Sequence, residues 1–233
     1  MIDAEWWDYD SPEELAEAVA GDVGYIIGQA LEARGRAMIA LAGGETPKAA
    51  YALLAAQPIE WADVTILPTD DRLVALDNPA SNAGMLARQF MPKKARVIPL
   101  CAGETDPVAA GRAADSRLAD LEWPLDIALL GVGEDGHTAS IFPGPDHDAA
   151  LNGPKARRAL GVRPDPLPAN APYPRVTLTK AALVSARTVT LILRGKAKRK
   201  VVEQALKQGA TSALPIGRLL ADLDMDIDIH WCA

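Results

Sequence analysis

LDIALLGVGEDGHTASIFPG, Leu125 to Gly144, is the stretch from which the rest of this chain can be read. Its first six residues are apolar apart from Asp126 and read as a buried strand. Three glycines, two acids and a histidine follow within seven positions, Gly131 to His137. Glycine lets a backbone turn tightly and approach a ligand closely. Histidine is the side-chain type that titrates nearest neutral pH, which makes His137 the candidate general base or acid. A titratable group on a glycine loop at the end of a buried strand is a common way to build a site on an α/β scaffold.

The same loop contains a false signal. Gly131-Val132-Gly133-Glu134-Asp135-Gly136 satisfies G-x-G-x-x-G, the dinucleotide fingerprint. That fingerprint also requires a helix opening on the loop and an acid about 20 residues later. Pro143 and Pro145 interrupt a long helix, and Lys155, Arg157 and Arg158 stand where the acid should be. A nicotinamide or flavin site is therefore not expected.

Working outward, apolar segments alternate between strand and helix signals. Ser11-Pro12-Glu13-Glu14 is a helix start, with Ser as cap, Pro at the first position and Glu three after the cap. Leu15, Val19, Val23, Ile26, Ile27 and Leu31 continue it near helical period. Ala37–Leu41 reads as a strand broken by Gly43 and Gly44, and Thr46-Pro47 opens a helix to about Ala56. Val64–Leu67 reads as a strand ending in Asp70-Asp71-Arg72, Ser81–Phe90 as a helix, Arg96–Leu100 as a strand and Pro107–Leu121 as a helix. The segment from Phe142 to Pro174 is rich in Pro, Gly, Asn and Asp and reads as long loops with one strand, Ala159–Val162. Arg175–Thr179 and Thr188–Leu193 read as strands, Lys196–Gln208 as a helix and Pro215–Leu220 as a helical turn. Asp224 to Trp231 alternates strictly and reads as a half-exposed closing strand. This order predicts a Rossmann-like α/β fold: a largely parallel, doubly wound sheet with helices on both faces, formed by residues 1–233 as a single domain.

Composition limits the partners. Formal net charge is −7 over 233 residues, which disfavours general nucleic-acid binding. No apolar run approaches the roughly 20 residues of a membrane span. The opening MIDAEWWDYDSPEE has neither a basic nor an apolar leader region, so a cytoplasmic protein is expected. Cys101 and Cys232 form no C-x-x-C and no Cys/His cluster, which argues against zinc and against a disulfide framework.

Beyond the histidine loop, two further segments could hold an anion. Ala42-Gly43-Gly44-Glu45-Thr46-Pro47-Lys48 is a glycine turn entering a helix, where main-chain N–H groups and the helix dipole favour negative charge, although it is not a Walker A sequence. Asp70-Asp71-Arg72 ends a strand; Arg72 can grip a phosphate bidentately, with the acids orienting it, or the three can be an exposed ion-pair cluster. The basic run Arg194, Lys196, Lys198, Arg199, Lys200 is either a solvated helix start or a set of cations aimed at a ligand, and Arg175 flanks the same edge. His147 reads as a solvated loop residue, His230 as lying on the polar side of the last strand, and Trp6 and Trp7 as packing anchors. Asp135, His137, Asp146, His147 and Asp148 lack the spacing of a metal-ligand set.

These motifs together resemble the 6-phosphogluconolactonases, the sugar-lactone hydrolases of the pentose phosphate pathway. AGGETP resembles the family's Ser-Gly-Gly-Ser-Thr-Pro block, and DDRLVALDNPASN its Asp-Glu-Arg…Ser-Asn block. GVGEDGHTASIFPG is close to its most diagnostic segment, and RVTLT and Gly195-Lys196-Ala197-Lys198 are similar to its C-terminal blocks. The resemblance spans about Ala37 to Val202. Glucosamine-6-phosphate deaminases share the fold and the glycine turn, but their Asp-Glu-Tyr and their Asn-Glu-Pro ending are absent here, where Arg72 and Ser140-Ile141-Phe142-Pro143 stand. Sugar-phosphate sensor domains also share the fold but normally follow a helix-turn-helix, for which there is no room before Ser11. Two residues depart from the pattern: Glu45 replaces a Ser, and Asp71 replaces a Glu.

The resemblance implies hydrolysis of 6-phospho-D-glucono-1,5-lactone without metal or organic cofactor; a monomer is expected, although the sequence itself does not give the oligomeric state. His137 would be the base, with Asp135 orienting it. Arg72 and Lys198 would hold the phosphate, assisted by Gly43, Gly44 and Thr46. Main-chain N–H groups at Gly43-Gly44 or at Gly133–Gly136 would face the oxyanion.

Overall fold

The computed structural model describes residues 4–144, 146–169 and 171–233, so Pro145, read above as interrupting a helix, lies outside it. In chain order the elements are β1 (Ala4–Tyr9), α1 (Pro12–Arg34), β2 (Ala37–Leu41), α2 (Lys48–Ala55), β3 (Val64–Pro68), β4 (Asp70–Arg72), α3 (Asn82–Phe90), β5 (Arg96–Val97) and α4 (Pro107–Ala119). They continue as β6 (Ile127–Leu130), α5 (His147–Asn152), β7 (Ala159–Val162), β8 (Arg175–Leu178), α6 (Lys180–Val184), β9 (Val189–Arg194), α7 (Lys196–Gln208), α8 (Pro215–Leu220) and β10 (Ile227–Cys232).

The two-residue period of a strand divides the side chains of the central sheet between two cores. Met38 and Ala40 of β2, with Ala128 and Leu130 of β6, join a cluster containing Ala114 and Leu118 of α4, Leu183 of α6, Val202 of α7 and Leu219 of α8. Ile39 and Leu41, with Ile127 and Leu129, join the opposite cluster, which contains Val19 and Ile27 of α1, Tyr51 and Leu54 of α2, and Phe90 of α3. Seven strands pair in parallel in the order β1-β10-β9-β6-β2-β3-β5. With helices covering both faces, this is the doubly wound architecture the sequence predicts. From β2 the chain moves to β3 on one side, while β6 pairs on the other side of β2. A crevice opens at the carboxyl ends of strands where the order reverses in this way.

Local signals explain the helix ends. Ser11 Oγ accepts the Glu14 amide at 3.1 Å, and the Gly35 amide closes α1 onto Leu31 O at 2.8 Å. Such a cap satisfies a donor left free by the first turn and is worth about 1 kcal/mol. Ser81 and Asp106 cap α3 and α4 in the same way.

Several readings need correction. Asp70–Arg72 is not the end of β3; it is a separate strand that pairs antiparallel with β8 in a second sheet, β4-β8-β7. Arg175–Leu178 therefore lies outside the main sheet, because it pairs with two short strands, β4 and the β7 of the Pro- and Gly-rich segment. β10 is no half-exposed closing strand: it lies between β1 and β9. The edge strand beside it is β1, whose mixture of Trp and acid residues carries no clean alternation. His230 is buried, not solvated, with Nδ1 2.9 Å from Tyr9 Oη and Nε2 3.4 Å from Asp22. His147 is half-buried at the start of α5 rather than free in a loop. Of the two tryptophans only Trp6 packs against the core; Trp7 is exposed, and its indole N–H donates to Asp228 at 2.9 Å.

Candidate active site

The loop after β6 folds back on itself. The Gly136 amide donates to Gly133 O at 3.0 Å, the Gly133 amide to His137 O at 2.9 Å, and Thr138 Oγ1 to Gly131 O at 2.9 Å. These bonds bring Asp135 Oδ1 within 2.5 Å of His137 Nδ1. The same oxygen accepts the His137 main-chain N–H at 3.1 Å. A Cβ on Gly133 would strike both the imidazole and this carboxylate, so the close approach requires glycine there. Burial pushes the Asp135 carboxyl up, but the hydrogen bond and charge of His137 outweigh it and hold the group below the usual carboxylate value. The imidazole stacks on Phe142, with ring centres 4.2 Å apart and planes at 24°.

The second segment is organised around Asp71. Its carboxylate accepts the amides of Arg72, Asn82 and Ala83 at 2.8, 2.7 and 3.0 Å, and the Ser81 hydroxyl at 3.1 Å. Burial raises its pKa against the pull of these amides. Asp71 thus fastens the start of α3 and does not orient the Arg72 guanidinium, contrary to the sequence reading. That guanidinium instead donates from one terminal nitrogen to Ala80 O at 2.9 Å and to Asn82 Oδ1 at 3.0 Å. Asn82 also approaches the glycine turn after β2, where a Cβ on Gly43 would collide with its amide. The turn and the arginine are therefore held by one side chain.

Asp70 belongs to a different set. It accepts the Ser140 hydroxyl at 2.5 Å and lies 3.7 Å from the Arg175 guanidinium, all three residues being buried. Arg175 also donates to Ala171 O at 3.1 Å and places its guanidinium carbon 5.2 Å from the Phe142 ring centre. Among the described residues, the buried Nε atoms of Arg72 and Arg175 have no hydrogen-bond partner.

Gly43, Gly44, Thr46, Arg72, His137 and Lys198 all line one cavity of about 880 Å³. Asp135 is not among its lining residues and contacts it through His137. Of the flanking cations weighed in the sequence, Arg175 lines the cavity; Arg194, Lys196 and Lys200 do not. Lys48, Arg88 and Asn82 line it too, and the sequence reading assigns none of them a binding role of its own. The only available signal was their place in or just after the glycine-turn and Ser-Asn blocks. Five cations and three acids line the cavity: Lys48, Arg72, Arg88, Arg175 and Lys198 against Glu45, Asp70 and Glu134. Asp70 faces Arg175, and Glu45 pairs with Lys48 at 2.5 Å. The concavity is thus locally cationic in a chain of net charge −7, an arrangement that attracts an anionic small molecule. Among the described residues, no three His, Cys, Asp or Glu side chains converge as a metal site, and no helix is long and apolar enough to cross a membrane. Both cysteines are buried and unpaired.

Residues 10–229 match the family of glucosamine-6-phosphate isomerases and 6-phosphogluconolactonases. The chain is similar to the 6-phosphogluconolactonase of Rhizobium meliloti, with 35% identity covering 96% of both proteins. It is also similar to that of Pseudomonas putida, with 36% identity covering 94% of this chain and 88% of the relative. A crystal structure of a 6-phosphogluconolactonase from Shewanella baltica superposes with a TM-score of 0.90 at 31% identity, covering 99% of this chain and 98% of that one.

Proposed function

The chain belongs to the family of glucosamine-6-phosphate isomerases and 6-phosphogluconolactonases, and from that premise we propose that it hydrolyses 6-phospho-D-glucono-1,5-lactone to 6-phosphogluconate, with His137 as general base. The observation that carries this reading is the His137–Asp135 pair standing at a cation-lined cavity. With Nδ1–H donating to the carboxylate, Nε2 keeps its lone pair for a water molecule. Water attacks the lactone carbonyl carbon as Nε2 takes its proton. The tetrahedral intermediate then expels the ring oxygen, which receives that proton from the imidazolium. Atoms and charge balance without a covalent enzyme intermediate.

The oxyanion donors follow from the loop's own bonding. The Gly133 and Gly136 amides are already engaged inside the loop. This favours the Gly43 and Gly44 amides, on the turn held against Asn82, as the oxyanion donors. Arg72 and Lys198 hold the phosphate, with Thr46 and the start of α2 beside them. A lactone is an activated ester, so one positioned base and good orientation suffice.

Residues argue against the deaminase reading as well. Phe142, stacked on His137, stands at the motif position where the deaminases carry the acid of Asn-Glu-Pro. The enzyme is read as one domain acting as a cytoplasmic monomer, which sedimentation of the purified chain tests. The activity is tested with freshly made 6-phosphogluconolactone and with glucosamine 6-phosphate in parallel. Lactone opening above the spontaneous rate without ammonia release is expected. Ammonia release would assign a deaminase, and binding without turnover a sensor.

A further inference from the structure

α7 delivers Lys198 to the cavity but has little of its own to hold it in place. Its first turn has no side-chain cap, and only Val202 and Ala205 of the helix are fully buried. The missing anchorage comes from the next residue. The Arg199 guanidinium carbon lies 4.6 Å from the Trp6 ring centre and 4.5 Å from that of Trp231. Its terminal nitrogen donates to Asp8 at 2.6 Å, and its Nε to Glu203, one turn on, at 3.0 Å. Trp6 and Asp8 are alternate residues of β1, and Asp8 is paired in register with Trp231 of β10, so all three share one face of the sheet. The Trp231 indole N–H also donates to Gly195 O at 3.1 Å, and the Gly195 amide donates to Cys232 O at 2.8 Å. The entry of α7 is thus tied to β1 and β10, the two strands at one end of the sheet.

We propose that Arg199 is a positioning residue, clamped between Trp6 and Trp231, that sets the first turn of α7 so that Lys198 meets the phosphate of the substrate. The proposal rests on the phosphate role assigned to Lys198 above. Successive helix residues are about 100° apart, so fastening one side chain to the sheet directs its neighbour sideways toward the cavity. A planar guanidinium suits the place because it stacks on aromatic faces while its edge donates to carboxylates, which an ammonium cannot do together. The arrangement also gives β1, far from the histidine loop in the sheet order, a part in substrate recognition.

The test compares Arg199→Ala with Lys198→Ala on phosphorylated and unphosphorylated gluconolactone. Arg199→Ala should raise KM for the phosphorylated lactone about tenfold, with kcat held within about twofold and the unphosphorylated substrate unaffected. Arg199→Lys should fall between wild type and Arg199→Ala. A folded Arg199→Ala with unchanged KM, or with equal losses on both substrates, overturns the proposal. If Lys198→Ala shows no preference for damaging the phosphorylated substrate, the phosphate assignment fails first and the clamp's role falls with it. If Arg199→Ala does not fold, Asp8→Asn removes the ion pair alone. A rise in KM confined to the phosphorylated lactone then supports the clamp, and no change overturns it.

Discussion

One carboxylate oxygen, Asp135 Oδ1, holds His137 twice, at 2.5 Å from ring Nδ1 and 3.1 Å from the main-chain nitrogen. The pair fixes the ring's tautomer as well as its direction. Replacing Asp135 by Asn keeps the shape but lets the amide N–H face Nδ1, which drives the ring proton to Nε2 where a base needs a lone pair. Asp135→Asn and His137→Asn should each lower kcat about 10²–10⁴-fold, while KM changes little. Initial rates corrected for spontaneous hydrolysis decide this. Near wild-type turnover in folded His137→Asn would remove it from the mechanism.

How much of this was visible in the sequence depended on the range of the interaction. Strands buried on both faces, such as Ile127–Leu130, and helix starts with Ser-Pro-Glu or Asp-Pro signals are local and were readable. So was the grouping of His137 with the glycine loop, since its bonds span a few residues. What failed was long-range. Nothing near Asp70 announces a hydroxyl from Ser140 or a guanidinium from Arg175 across a second sheet. His230 looks polar in an alternating strand, and only the docking of Tyr9 from β1 makes it a core residue. β1 itself has no signal apart from its partner β10.

Arg72 reaches the cavity with one terminal nitrogen committed to Ala80 and Asn82. That orientation frees the rest of the guanidinium for an anion. Arg72→Ala should reduce kcat/KM for the phosphorylated lactone by about 10- to 100-fold, since a charge-assisted hydrogen bond contributes about 1.5–3 kcal/mol. The unphosphorylated lactone should be much less affected. Equal losses on both would make Arg72 a structural residue.

The register of α7 separates its lysines. Lys198 lines the cavity, whereas Lys196 and Lys200 are exposed outside it. Lys198→Ala should raise KM for the phosphorylated lactone about tenfold or more. Lys200→Ala should leave KM within about twofold of wild type, as expected for a solvated charge. A silent Lys198→Ala beside a damaging Lys200→Ala would place the wrong helix face toward the substrate.

Glu45 puts a negative charge on the wall of an anion site and engages Lys48 at 2.5 Å. Both side chains are well exposed, so the pair itself stabilises the fold very little. Removing the acid both lifts a repulsion and frees a cation. Glu45→Ser should lower KM for the phosphorylated lactone about two- to fivefold with kcat nearly constant, an effect that shrinks as salt is added. A KM that rises or stays fixed would show that Lys48 does not face the ligand.

His230 makes stability depend on pH at a place remote from the cavity. Burial pushes its pKa below the ordinary histidine value, against the opposing pull of Asp22 and Asp228. Tyr9, whose hydroxyl contacts Nδ1, is itself pushed up to about 12 by burial and by the same two acids, so it stays neutral across the range that matters. The folded chain therefore keeps His230 unprotonated where the unfolded chain has begun to bind a proton. Between the unfolded value, about 6.5, and the lower folded one, the unfolded state holds more protons, so stability falls as pH falls. The slope from this one group is at most about 1.4 kcal/mol per pH unit within that window. His230→Gln cannot take up that proton. Its Tm should start lower than that of wild type at about pH 7.5, yet decline less on acidification to about pH 5. Thermal melts of both proteins across this range provide the test. Parallel declines would show that other groups, and not His230, carry the acid sensitivity.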